Sequence, residues 1–134
     1  MANSRLLRTL IVVFGLVTAL VHLWLVYNGL TRPRNPAISY PFLINGLGYL
    51  ALVGAFLFAG TSQGQWSRIV HYLFMAFAAG SIVAWIVVNG GRFLLPLSIF
   101  DKAIEVLLIV VLWRHLRLLQ PDRVRDQATA GGGA

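Results

Sequence analysis

Four long apolar stretches, separated by short polar segments, make up most of this chain. No formal charge occurs between Arg8 and Arg32, and none occurs between Arg34 and Arg68. A helix of about 20 mostly apolar residues is long enough to cross the hydrocarbon core of a bilayer. The pattern therefore predicts four transmembrane helices, at about residues 8–30, 41–60, 68–90 and 97–119.

The fourth predicted helix carries more charge than the other three. Its uncharged apolar run covers only residues 106–113, which is too short to cross a bilayer alone. The helix spans if Asp101, Lys102 and Glu105 lie near one membrane face while Arg114 reaches the opposite interface. We therefore expect this helix to bring charged side chains into the outer part of the bundle.

Loop length and charge together predict the topology. The loop at residues 61–65 is short and polar, so the second and third helices should be antiparallel neighbours. Seven arginines lie on the side of the chain termini, whereas three arginines and one lysine lie on the other side. Because cytoplasmic loops are enriched in Lys and Arg, both termini are predicted to be cytoplasmic. The fold class is an all-α, polytopic membrane protein, with an up-down four-helix bundle over residues 1–119 and a polar, Gly-rich tail over residues 120–134.

Composition excludes several other classes of protein. Of the 134 residues, 58% are hydrophobic and 11% are charged, whereas a soluble domain has about 25% charged residues. The absence of Cys excludes disulfides, zinc ribbons and iron–sulfur ligation. The formal charge of +7 is mainly a topology signal. No nucleic-acid partner is expected, because the chain has no basic soluble domain to present a binding patch.

Polar and ionisable residues collect toward the outer ends of the predicted helices, where burial in a membrane is costly and often functional. Asp101 and Glu105 share a helix face, and two close carboxylates could serve a proton relay with His22. The alternative is a structural cluster in which Lys102 neutralises Glu105. No recognised spacing motif indicates a metal site. The candidate cluster comprises His22, Asn45, Asp101, Lys102 and Glu105. Four other polar residues lie in the same outer part of the bundle: Tyr27, Asn28, Tyr49 and Asn89.

Two further histidines lie near the predicted cytoplasmic face, His71 early in the third helix and His115 late in the fourth. Matched depth on neighbouring helices is what a membrane b-type haem needs for its two axial ligands. A plainer explanation exists for His115, since the helix dipole favours a cation near a helix C-terminus. No cofactor is therefore expected, and haem b, a bound lipid or a quinone are the alternatives.

Small residues recur every four positions on two of the predicted helices. Such spacing lets helix backbones approach closely in lipid. Because the second and third helices are neighbours in sequence, we favour a contact between them within the chain. The alternative is that the stripes face another subunit. The residues concerned are Ala51, Ala55, Ala59, Ala76, Gly80 and Ala84.

Three short segments carry a resemblance to other proteins. They are Val21-His22-Leu23, the run Leu-Ile-Asn-Gly-Leu-Gly-Tyr-Leu at residues 43–50, and Asp101-Lys102. With these segments the chain resembles small uncharacterised four-helix integral membrane proteins of bacteria and archaea, over most of its length. The resemblance implies the fold and a place in the cytoplasmic membrane of such a cell. It implies no activity.

The sequence contains no nucleotide-binding or catalytic motif, so an enzyme is not expected. The leading hypothesis is an accessory subunit of a larger membrane complex, with other integral membrane subunits and lipids as partners. The host could be a respiratory or photosynthetic electron-transfer complex, such as the quinol-oxidising alternative complex III. The alternative is a small oligomeric transporter or channel that uses the outer cluster. A second alternative is a haem-binding redox protein.

Overall fold

The computed structural model describes residues 2–32, 38–59, 64–89 and 96–119. These residues form four α-helices: α1 (Ala2–Leu30), α2 (Tyr40–Ala59), α3 (Gln65–Asn89) and α4 (Pro96–Leu118). The all-helical prediction is therefore confirmed for the described residues. The predicted tail at 120–134 lies outside them.

Helix α1 begins six residues before its predicted start at residue 8. No Gly or Pro interrupts residues 2–8, and Leu7 packs against the core. The helix therefore continues past the apolar stretch that defined the prediction.

Three of the four helices are long and apolar enough to cross a membrane, over Asn3–Leu30, Tyr40–Ala59 and Gln65–Val88. Helix α4 is not among them. Its first half holds three charged residues and its last turns hold Arg114 and Arg117, which lower its hydropathy. The predicted length and apolar character of a membrane span are thus confirmed for α1, α2 and α3, and α4 is not a candidate span by the same measure.

The four helices form a closed ring in which each helix packs against two neighbours. Helix α1 contacts α2 and α4, and α3 contacts the same two helices. His22, late in α1, meets Asn45, early in α2, and His71, early in α3, meets His115, late in α4. Neighbouring helices are therefore antiparallel, as an up-down bundle requires.

Large apolar side chains fill the middle of the bundle. Phe56, Phe74, Leu108 and Leu112 are all fully buried. Gly46 allows α1 and α2 to approach closely, because a Cβ there would lie 2.8 Å from the Leu23 side chain. The core thus draws on all four helices.

The two stripes of small residues lie in different environments. On α2, Ala55 and Ala59 pack against the core, whereas Ala51 is exposed. The α3 stripe is exposed along its whole length, and a Cβ on Gly80 would meet no described atom within 4 Å. The contact between the stripes that we favoured is therefore not formed, because α3 turns its Phe74 face inward instead. The exposed α3 stripe comprises Ala76, Gly80 and Ala84.

Candidate functional site

A cluster of polar side chains from all four helices lies inside the bundle. We call it the charged cluster. It unites all five residues predicted from the sequence and adds Tyr49 and Ser81. Its members are His22 of α1, Asn45 and Tyr49 of α2, Ser81 of α3, and Asp101, Lys102 and Glu105 of α4.

Glu105 is the centre of the charged cluster and has no exposed surface. Its Oε1 accepts hydrogen bonds from the Tyr49 hydroxyl and the Ser81 hydroxyl, each at 2.8 Å. Its Oε2 accepts a hydrogen bond from Lys102 Nζ at 2.7 Å. Three donors therefore stabilise this carboxylate in its charged form, which is the condition for burying a carboxylate.

The ammonium group of Lys102 is fully coordinated by oxygen atoms. Its Nζ lies 2.7 Å from Glu105 Oε2, 3.1 Å from Asp101 Oδ2 and 3.0 Å from Ser81 Oγ. An ammonium group has three N–H donors, and these three acceptors match that number. Lys102 thus acts as a fixed positive charge between the two carboxylates.

The hydrogen bonds of His22 assign its tautomer. Nδ1 lies 2.9 Å from the Thr18 carbonyl oxygen, which can only accept, so Nδ1 carries a proton. In the neutral ring Nε2 then has a lone pair, and the Asn45 side-chain amide lies 3.4 Å from it. Asp101 Oδ2 is 3.9 Å from the same nitrogen. His22 therefore directs an acceptor nitrogen toward a buried carboxylate.

The charges of the cluster do not cancel. Two carboxylates face one ammonium group, so the cluster carries one net negative charge while His22 is neutral. Asp101 is 3% exposed, and its Oδ1 has no hydrogen-bond partner among the described residues. A buried polar atom without a partner is costly. The cluster is thus one positive charge and one hydrogen-bond donor short of full compensation.

A metal ion is less well suited to this cluster. Ligand-type atoms of His22, Asp101 and Glu105 lie within 4.8 Å of one another, which is close enough for shared coordination. However, Lys102 Nζ lies within hydrogen-bond distance of both carboxylates and would repel a divalent cation placed between them. The chemistry that fits these residues is the uptake of a single positive charge.

The two remaining histidines form a second buried polar group, the histidine pair. His71 Nε2 lies 2.8 Å from His115 Nδ1, and the two ring planes differ by 8°. The ring centres are 5.1 Å apart. This is about the N–N distance plus the distance from each of the two nitrogens to the centre of its own ring. The rings are therefore edge to edge in one plane. Phe56 packs against both imidazoles in a T-shaped arrangement, with its ring centre 5.3 Å from that of His71 and 5.6 Å from that of His115.

The histidine pair shares one proton between its rings. His71 Nδ1 lies 2.6 Å from the Ser67 carbonyl oxygen and must donate to it. In the neutral ring His71 Nε2 is then an acceptor, so His115 Nδ1 is the donor between the rings. An iron atom between two imidazoles needs about 2 Å on each side. The observed N–N distance would have to lengthen for the haem that was considered as an alternative at these residues.

Ser81 is the cluster residue that sequence reasoning missed. A serine within a membrane helix can bond its own helix carbonyl, so its presence alone predicts no partner. The available signal is its position: Ser81 follows Phe74 and Ala78 on the face of α3 that turns inward. A polar residue on a buried apolar face must find a partner, and here the partner is Glu105.

Over the residues that the structure describes, these features define an all-helical bundle that has three helices long and apolar enough to cross a membrane and that encloses ionisable groups. The chain belongs to a family of unknown function, DUF7475, whose model matches residues 1–114. The match includes the whole charged cluster and His71. No curated protein and no solved structure matches the chain.

Proposed function

We propose that the protein is a small transporter or channel that moves protons or another small cation across the membrane, with the charged cluster as its binding site. The observation that carries this proposal is the buried charged cluster, to which all four helices contribute. Ionisable residues inside membrane bundles are expensive, and they mark ion pathways and proton relays. An apolar core would hold four helices together without that cost.

The position of the histidine pair supports the same proposal. Ser81 and His71 are ten residues apart on α3, and Glu105 and His115 are ten residues apart on α4. At 1.5 Å per residue the two polar groups are about 15 Å apart along the bundle. Phe74, Leu108 and Leu112 fill the core between them. Channels use an apolar constriction between two polar groups for gating, and the charged cluster and the histidine pair are separated in this way.

The proposal includes a finer topology, in which α4 crosses the membrane and both termini lie in the cytoplasm of a bacterium or archaeon. Its support is that the three charged residues in the first half of α4 are directed inward, since Asp101 and Glu105 are buried and Lys102 bonds both. A helix can span despite such charges when they face the interior of the bundle, and Arg114 and Arg117 would lie at the opposite interface. The excess of arginine on the side of the termini favours the same orientation.

Flux through reconstituted liposomes tests the proposed function. Proton flux is measured with an internal pH dye, and sodium or potassium flux with ion-selective dyes. Glu105→Gln should abolish flux while the protein still elutes at the size of the unmutated assembly. The matched control is Tyr27→Phe, which alters an exposed tyrosine near the outer end of α1. Absence of flux in the unmutated protein, or full flux in Glu105→Gln, would remove the proposal.

A second candidate function is an accessory subunit of a larger membrane complex, including the electron-transfer complexes considered above. The observation that favours it is the exposed small-residue stripe on α3, because such stripes pack helices closely in lipid. Gentle extraction from the native host, followed by native electrophoresis and mass spectrometry, should then find stoichiometric partners. Gly80→Leu should release them, because it fills the open space beside this glycine. Extraction of the chain alone would count against this candidate.

A further inference from the structure

We infer that the charged cluster holds a single proton on Nε2 of His22, opposite Asp101, and that Lys102 makes the site selective for one positive charge. The inference deepens the proposed function and rests on the charged cluster being its ion-binding site. It names the ligand, which the proposed function leaves open. Binding forms one N–H bond with a proton from water and involves no redox step.

The first argument is the count of charges around His22. Asp101, Lys102 and Glu105 of α4 face it, and from α2 the neutral Tyr49 ring packs at 5.9 Å from the imidazole centre. Two negative charges and one positive charge leave one negative charge inside the bundle. One added positive charge makes the cluster neutral. A divalent ion would reverse the sign of the net charge of the cluster and leave a buried positive charge.

The second argument is the geometry around Nε2 of His22. In the neutral ring Nε2 accepts from the Asn45 side-chain amide at 3.4 Å, because Nδ1 donates to Thr18. Asp101 Oδ1 has no partner among the described residues, although the side chain is almost fully buried. A proton on Nε2 turns this nitrogen into a donor beside the Asp101 carboxylate, whose Oδ2 is 3.9 Å away, and the Asn45 amide must then turn its oxygen toward the ring. The single uptake thus supplies the missing positive charge and places a new donor beside Asp101.

The third argument distinguishes a proton from a metal cation of the same charge. The acceptor atom on His22 is an imidazole nitrogen, and alkali and other hard cations prefer oxygen ligands. The oxygen atoms between the two carboxylates are already bound to Lys102. Histidine is also the side chain that normally changes charge between about pH 5 and 8. A proton therefore suits the available atoms best.

The test is nitrogen NMR of the full chain in nanodiscs with ¹⁵N-labelled histidine, recorded as the pH is lowered. The three histidines are assigned with His71→Gln and His115→Gln. We expect the Nε2 signal of His22 to change from the unprotonated to the protonated position, while its Nδ1 signal stays protonated. In Asp101→Asn, which keeps the side-chain shape, the change should be lost, because the carboxylate beside Nε2 is gone.

Three outcomes would overturn the inference: Nε2 of His22 stays unprotonated wherever the protein is folded, Asp101→Asn leaves its protonation unchanged, or Zn²⁺ or Na⁺ shifts the His22 signals at fixed pH. The NMR test and the flux test fail separately. Protonation of His22 without flux would refute transport and keep the site. Flux that depends on Glu105 without protonation of His22 would keep transport and refute the proton as the ligand.

Discussion

Lys102→Met is expected to destabilise the folded bundle by about 3–5 kcal/mol, which is the usual cost of removing one partner from a buried ion pair. The magnitude follows from the contacts. Lys102 is 12% exposed at its side chain and bonds three oxygen atoms, two of which belong to buried carboxylates. Methionine has a similar length and no charge, so Asp101 and Glu105 would be left facing each other inside the bundle.

The loss should depend on the neighbouring carboxylate. Combining Lys102→Met with Glu105→Gln removes the ammonium together with one negative charge. The double variant should therefore lose about 2 kcal/mol less than the sum of the two single losses, as contacting residues usually couple.

The assay is reversible unfolding of the purified protein in mixed micelles, followed by circular dichroism. The four variants of the cycle are the unmutated protein, the two single substitutions and the double substitution. Exposed ion pairs contribute only about 0–1 kcal/mol. A loss of that size for Lys102→Met, or additivity in the double variant, would refute the conclusion that these charges are buried together.

Three other predictions follow from the fold and the cluster. Tyr49→Phe removes a 2.8 Å hydrogen bond to the buried Glu105 carboxylate and should cost about 1.5–3 kcal/mol in the same unfolding assay; no loss would mean that this hydroxyl does not bond a charged group. Gly46→Val should destabilise by about 1–3 kcal/mol through overpacking, whereas Gly54→Val, where a Cβ meets no described atom within 4 Å, should change stability little. The chain has no natural cysteine, so single cysteines can report the topology. In spheroplasts, Ser4→Cys should resist an impermeant maleimide because the N-terminus is proposed to be cytoplasmic, whereas Ile38→Cys should react. The reverse labelling would mean that the topology is inverted.

Much of the fold could be predicted because charge gaps and apolar length report directly on helices in lipid. The five residues predicted for the cluster could also be brought together, because depth along each helix is set by residue number at 1.5 Å per residue. Rotation about the helix axis could not be predicted in the same way. All four helices are apolar on most sides, so periodicity gives little information on which face turns inward.

The errors follow from that missing rotation. The α3 stripe with Gly80 was expected to pack on α2, yet it is exposed because the face with Phe74 and Ser81 is buried. The same limitation concealed the direct hydrogen bond between His71 and His115, whose depths matched but whose orientations were open. To predict which side chains meet across helices, both the depth along each helix and the rotation about its axis are needed. The sequence predicts only the depth.

The three residues of the charged cluster that carry a charge, Asp101, Lys102 and Glu105, all lie on α4. This has a consequence for how the protein enters the membrane. Lys102 bonds Asp101 and Glu105 of its own helix, so one of these two negative charges is neutralised within α4 before any other helix is met. Helix α4 is also synthesised after α1, α2 and α3. Its remaining partners, Tyr49 and Ser81, belong to helices that precede it in the chain. The most polar helix therefore joins a bundle that already presents its hydrogen-bond donors, and its insertion is coupled to its packing.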